Sequence, residues 1–222
     1  MYKAFQKLPA VKQRRILDSA IKTIAEKGYE AASISTICRR AGISNGALYK
    51  YFKNKEVMFF ACVDYGVEVM MMELYLKYTS ETNTLIDAIR SLLHGFKEFT
   101  KKHRDMLSIY SDLGSSSMNR FASVSEKIES EGRAFLIGLV EDAKKRGEID
   151  AGVRSDIAAY FIDSHIMLYS YSLVSDHHAR RFDAFFGDSA GRLTEDEKIE
   201  KIMESLKLLS KGAGHGASGK KP

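Results

Sequence analysis

The chain is expected to be all-α, and three features of its 222 residues carry that expectation. Only two prolines occur, Pro9 and Pro222, so helices can run unbroken through nearly the whole length. No segment alternates apolar and polar residues between hairpin turn signals, which would be the mark of a strand. From Leu17 to Leu209 the apolar residues recur instead at the three- and four-residue spacing of a helix. Composition agrees with a globular chain, at 45% hydrophobic and 28% charged residues.

The elements follow in order. Pro9 suits the first turn of a helix. Leu17, Ala20, Ile21 and Ile24 then share one face, while Lys12, Arg14, Arg15 and Lys22 lie mostly off it. Gly28 accepts left-handed dihedrals and ends this first helix, about residues 10–27. Ser33 reads as the N-cap of a second helix that runs to about Arg40 and buries Ile34, Ile37, Cys38 and Ala41. Gly42 and Ile43 make a tight turn. Ser44 caps a third helix, Asn45 to about Phe52, with Leu48 and Phe52 turned inward. Asn54 caps a fourth, about 55–78, with Glu56 well placed against the positive end of the helix dipole. Phe59, Val63, Val67, Met70, Met71 and Leu74 form its apolar face.

A fifth helix is predicted over about 84–101 and a short one over about 103–113. Gly114-Ser115-Ser116-Ser117 reads as a loop, and a seventh helix follows over about 119–146. The eighth, about 155–175, is apolar almost all round, carrying Ile157, Tyr160, Phe161, Ile162, Ile166, Leu168 and Tyr169. A helix without a polar face is buried by its own subunit or by a partner. Residues 176–193 read as a mixed connection with a helical turn near 180–186. Thr194 caps a ninth helix, about 194–210, which holds Ile199, Ile202, Met203, Leu206 and Leu209. The Gly-, Ala- and Ser-rich residues 212–222 read as a disordered tail.

Charge is unevenly placed. Residues 1–62 hold 12 lysines and arginines against 4 acidic residues, whereas residues 63–222 hold 22 against 25. A compact basic end fits a polyanion-binding head, although a merely solvated basic surface fits the count equally well. No stretch approaches the roughly 20 apolar residues of a membrane-spanning helix. The first residues lack the apolar core of a signal peptide, so a cytoplasmic protein is expected. Cys38 and Cys62 fit neither a metal spacing nor a disulfide framework and read as buried thiols. No cofactor and no metal are expected.

The second and third helices decide the question that charge leaves open. Each is about two turns long, and a turn containing a glycine joins them. That is the helix-turn-helix arrangement, whose second helix enters the major groove of DNA. The outward face of the third helix offers Asn45, Gly46, Tyr49 and Lys50. Gly46 and Ala47 let its backbone approach closely. The amides that open the second, third and fourth helices can receive phosphate oxygens. Arg39 and Arg40 read equally as solvated surface or as phosphate ligands.

The stretch from Ile16 to Phe60 resembles the N-terminal domain of the TetR family of transcriptional regulators. The resemblance rests on the run from Ala31 to Glu56. Its most telling parts are Gly42-Ile43-Ser44, Gly46, Leu48-Tyr49, Tyr51-Phe52 and Lys55-Glu56, preceded by Lys27-Gly28-Tyr29. It covers about a quarter of the chain. It implies phosphate contacts from Ser33, Ser35, Tyr49 and Lys55, with Ser35 also within reach of a base. It implies groove-facing roles for Asn45, Gly46 and Lys50. Ser44 and Tyr51 join the DNA-binding set, and Ala47 departs from the family, many members carrying a hydroxyl residue there.

The resemblance also implies a helix-turn-helix domain over 1–55, a larger helical ligand-binding and dimerisation domain over 56–211, and a homodimer. The mechanism it implies is a repressor released from a palindromic operator when a small hydrophobic molecule binds the body, with the fourth helix as lever. Met70, Phe96, Phe99, Tyr110, Phe135, His165 and Tyr169 are candidates for the ligand pocket, each with plain core packing as its alternative. Ile162, Ile166, Tyr169, Ile199, Ile202, Met203 and Leu206 are candidates for the dimer interface. The competing readings are a regulator governed by a protein partner, or an activator, and more remotely an all-α enzyme. Gly187-Asp188-Ser189-Ala190-Gly191 has the spacing of a hydrolase nucleophile turn, but that motif needs a strand before it. His177 and His178 beside Asp176 lack a third ligand at metal-binding spacing and read as a solvated pair.

Overall fold

A computed structural model describes residues 3–80, 82–187 and 191–212. Among the described residues there is no strand. The helices are α1 (Lys3–Gln6), α2 (Ala10–Ala31), α3 (Ile34–Ala41), α4 (Asn45–Tyr51) and α5 (Lys55–Met70), which passes through a π-helical stretch (Met71–Leu76) into α6 (Lys77–Thr79). Then come α7 (Leu85–Asp112), a 3-10 helix (Ser116–Phe121), α8 (Ala122–Lys145), α9 (Ser155–Ser172), α10 (Asp176–Phe186) and α11 (Glu195–Gly212). No helix of the described residues is long and apolar enough to cross a membrane. The chain divides into two compact units, Met1–Glu73 with Lys102–Glu126, and Leu74–Lys101 with Lys127–Pro222.

In the first unit, the expected caps form. Ser33 Oγ accepts from Thr36 N at 3.3 Å, Ser44 Oγ from Ala47 N at 3.1 Å, and Asn54 Oδ1 from Val57 N at 2.8 Å. Each supplies an acceptor to an N–H that the helix itself leaves without one. Gly28 interrupts α2 at φ 75°, ψ 158°, and Gly42 closes α3 in the left-handed region at φ 64°, ψ 39°. Ile16, Ile37, Leu48, Phe52, Met58 and Phe59 are fully buried. Tyr29, Phe59 and Phe121 form an aromatic cluster with ring centroids 4.7–5.1 Å apart. Cys38 and Cys62 are free and buried, and burial pushes both thiols above their ordinary range.

In the second unit, Thr194 and Glu197 form a reciprocal capping box at the start of α11. Thr194 N donates to Glu197 Oε2 at 2.7 Å, and Glu197 N donates to Thr194 Oγ1 at 3.3 Å. Lys97 of α7 pairs with Asp196 of α11 at 2.8 Å, and Arg90 pairs with Glu200. Leu92, Phe96, Leu136, Val140, Tyr169, Ile199 and Met203 are buried here.

Several expectations are corrected. The fifth and sixth helices are one, α7, bent at His103 (φ −124°, ψ 31°). No proline or glycine stands there, so a single residue leaves helical geometry and the ladder resumes. The serine-rich run 114–117 is a loop only in part, because a 3-10 turn begins at Ser116 and buries Met118 and Phe121. The mixed connection contains a full helix, α10, whose one buried residue, Phe182, is too little to make an apolar stripe legible. The expected tail lies outside the described residues from Ala213 onward.

Candidate nucleic-acid interface

The turn between α3 and α4 is set by local chemistry. Gly42 N donates to Arg39 O at 3.4 Å and Ile43 N to Cys38 O at 3.0 Å. These two bonds close the C-terminus of α3 around a left-handed glycine. They turn the chain so that Ser44 caps α4 at once. α4 then has two unlike faces. Leu48 is buried, as is Phe52 just beyond the helix, while Ser44, Asn45, Gly46, Tyr49 and Lys50 are exposed. Tyr49 keeps 54% of its surface open, unusual for a large ring without an external partner. Ala47 and Tyr51 are half-buried at the edge of this face.

Ser33 and Ser35 are exposed at the start of α3. Ser33 Oγ donates to Thr36 Oγ1 at 2.8 Å, so its hydroxyl must exchange that bond to serve an outside acceptor. Lys55 is half-buried. Its Nζ donates to the carbonyl of Glu30 at 3.1 Å and lies 4.4 Å from the centroid of the Tyr29 ring. Burial pulls the ammonium below the usual lysine range, Glu30 opposes that shift, and Arg120 adds to it. An ammonium has three donors, so two remain for a phosphate. Arg39 and Arg40 are both exposed, and Arg40 bonds Glu26 at 2.6 Å and Thr23 Oγ1 at 3.1 Å.

Two contributors were not legible in the sequence. Arg120 pairs with Glu30 and covers the Tyr29 ring at 4.7 Å, from 90 residues further along the chain. Helix α1 is too short to show a period, yet Phe5 within it is buried against Phe52 at 4.8 Å and Tyr51 at 6.3 Å.

The ligand-pocket candidates are divided between the two units. Met70 and Tyr110 belong to the first unit, and Phe96, Phe99, Phe135, His165 and Tyr169 to the second. Phe96 and Phe135 come together around Tyr75, at 6.2 and 5.0 Å. His165 is a hydrogen-bonded histidine, its Nδ1 2.9 Å from the carbonyl of Phe161. With Leu168, Phe182, Phe186 and Ile202 it lines a cavity of about 180 Å³ between α9, α10 and α11. Tyr169 is fully buried, and its hydroxyl has no hydrogen-bond partner among the described residues.

The dimer candidates lie in the core of the single chain. Ile162, Ile166, Tyr169, Ile199, Ile202, Met203 and Leu206 are all buried within the single chain, the most open of them at 7%. Surface already covered within one chain has little left to bury against a partner. The apolar residues that stay outward are different ones: Ile157 and Tyr160 on α9, 57% and 76% exposed, and Phe185 on α10, 69% exposed. Of the nucleophile-like run, residues 188–190 lie outside the described residues, and helix α10 precedes it where that motif needs a strand. His178 meets the Tyr171 ring edge-on, with centroids 5.3 Å apart.

A short, capped, two-faced helix that follows another after a glycine turn, on a basic N-terminal segment, is the helix-turn-helix arrangement. Residues 16–62 match the profile described as bacterial regulatory proteins, tetR family. The fatty acid metabolism regulator protein of Bacillus subtilis (strain 168) is 47% identical over 51 residues, 23% of this chain and 25% of that protein. This chain therefore spans about a quarter of that relative's length. Similarity of fold extends further. FadR from Bacillus subtilis, solved in complex with stearoyl-CoA, superposes with a TM-score of 0.67 at 21% identity over 89% of this chain and 97% of its own. AibR in complex with isovaleryl coenzyme A and operator DNA superposes with a TM-score of 0.59 at 18% identity over 88% and 97%. Over residues 16–62 the chain is thus similar to the tetR family, and over most of its length it shares the fold of these solved structures.

Proposed function

We propose that the protein acts as a homodimeric repressor that binds a palindromic operator through two copies of α4 and leaves it when a small hydrophobic effector occupies the body. The observation that carries this reading is the exposed face Asn45, Gly46, Tyr49 and Lys50 on a buried Leu48–Phe52 anchor. Ser33, Ser35, Tyr49, Tyr51 and Lys55 hold phosphates and set the register. Asn45 and Lys50 address base edges, with Ser44, Gly46 and Ala47 at the close approach. Phosphate contacts position the protein and base contacts specify the sequence. The functional division falls at residues 55/56, with the head before it and the effector and dimer body after it, through 211.

Ile157, Tyr160 and Phe185 supply an outward apolar surface of the kind that a second copy covers through an isologous contact. The aromatic group of Tyr75, Phe96 and Phe135 supports an apolar effector. The fold neighbours solved with stearoyl-CoA and with isovaleryl coenzyme A favour an acyl thioester. An effector releases the operator only to the extent that it prefers the non-binding state.

Selecting bound duplexes from a random pool yields the operator, and a gel-shift titration on it tests the contacts. Tyr49→Phe combined with Lys55→Ala is expected to weaken binding and to lower its salt dependence, by about 0.9 in log–log slope for each phosphate no longer neutralised. Full affinity in that double variant contradicts the contact assignment.

A further inference from the structure

We infer that the segment from Lys3 to Lys7 is a second DNA-contacting element, an arm clamped to the end of the recognition helix that presents Lys3 and Lys7 to the phosphate backbone. The inference rests on the reading of α4 as the groove-entering helix.

A single helical turn has no stability of its own, because nucleating a helix costs more than one turn returns. α1 is therefore held from outside. Phe5 is 4% exposed, its ring 4.8 Å from Phe52 and 6.3 Å from Tyr51. Gln13 Nε2 of α2 donates to the carbonyls of Gln6 at 3.2 Å and Leu8 at 2.7 Å, fastening the far side. The segment is thus docked on the C-terminal end of α4, where Tyr51 is expected to meet a phosphate.

Phe5 turns inward and its charged neighbours turn outward. Lys3 and Lys7 are exposed, and neither has an ion-pair partner among the described residues. The first 17 residues hold five basic residues and no acidic one. A solvated surface would more commonly mix both signs. One-signed charge beside a phosphate-facing helix end is complementary to duplex DNA. The family profile begins at residue 16, so this arm lies outside the domain that it describes.

The test measures binding of the full chain to its selected operator by fluorescence anisotropy across a salt series, with thermal melts of every variant. Lys3→Gln combined with Lys7→Gln is expected to melt like the wild type. It should lower the slope of log affinity against log salt by about 1.8 for each bound protomer, about 3.6 for the dimer, since each phosphate contact contributes about 0.9. Its base preference in selection should be unchanged. Phe5→Ala keeps both charges but releases the clamp, and is expected to weaken binding in the same direction. An unchanged slope in the double-lysine variant overturns the arm while leaving the regulator reading intact. An altered base preference overturns the phosphate assignment. A wild-type chain that selects no duplex overturns the regulator reading itself, and the arm with it.

Discussion

Replacing Phe121 by alanine is expected to loosen the hold of the 3-10 segment on the N-terminal helices around Tyr29 and Phe59. The side chain is 0% exposed, with the rings of Tyr29 and Phe59 both at 4.7 Å and that of Phe60 at 6.0 Å. Removing a fully buried phenylalanine costs about 3–5 kcal/mol, counting both the transfer and the cavity left behind. Arg120 next to it makes a useful contrast. Its ion pair with Glu30 is exposed, the two side chains at 48% and 72%, and such pairs contribute up to about 1 kcal/mol. Its position over Tyr29 adds about 0.5–1 kcal/mol. Arg120→Ala should therefore cost at most about 2 kcal/mol. For a chain of this size each kcal/mol shifts Tm by about 2–4 °C, so Phe121→Ala should fall by about 6–20 °C and Arg120→Ala by no more than about 8 °C. Urea and thermal denaturation followed by circular dichroism measure both. A cost under about 1 kcal/mol for Phe121→Ala, or an equal cost for the two variants, would refute the reasoning. Either result would show that the rings are not what holds the segment.

Two glycines separate backbone strain from packing. An added Cβ at Gly28 or Gly42 meets no atom within 4 Å, so only dihedral strain acts. Gly42→Ala should cost about 1–2 kcal/mol, the left-handed penalty. Gly28→Ala should cost more, toward about 3 kcal/mol, because its region is nearly closed to residues with a Cβ. Denaturation of both variants checks the order, and a reversed order contradicts the assigned dihedrals. The third prediction concerns pH. Burial first, then Glu129, pushes the Asp163 carboxyl up to about 6 from an ordinary 3.8. The folded state therefore holds that proton more tightly, and the group costs stability increasingly as pH rises from about 4 to about 6. Asp163→Asn should raise Tm at pH 7.5, with the gain fading by pH 4. An equal gain at both values means that ionisation of the Asp163 carboxyl is not the source.

The parts of the site that the sequence reveals are those built by interactions a few residues long. Ser33, Ser44 and Asn54 cap within three residues of their own positions, and Gly42 closes α3 with bonds no longer than five. The inward Leu48 and the outward Tyr49 and Lys50 follow from helical period alone. The exposed face of α4 was legible for that reason. The roles proposed for those residues come from the family resemblance, because spacing alone does not carry them.

What only the tertiary structure decided is which surface covers which. An apolar stripe says that a face is buried, not by what, so Ile162, Ile199 and their neighbours could be read as an interface although their own chain encloses them. The docking of Phe5 on Phe52 and the placement of Arg120 over Tyr29 join residues 47 and 91 positions apart. No local pattern encodes such pairings, because the energy that selects them appears only when distant segments exclude water from each other.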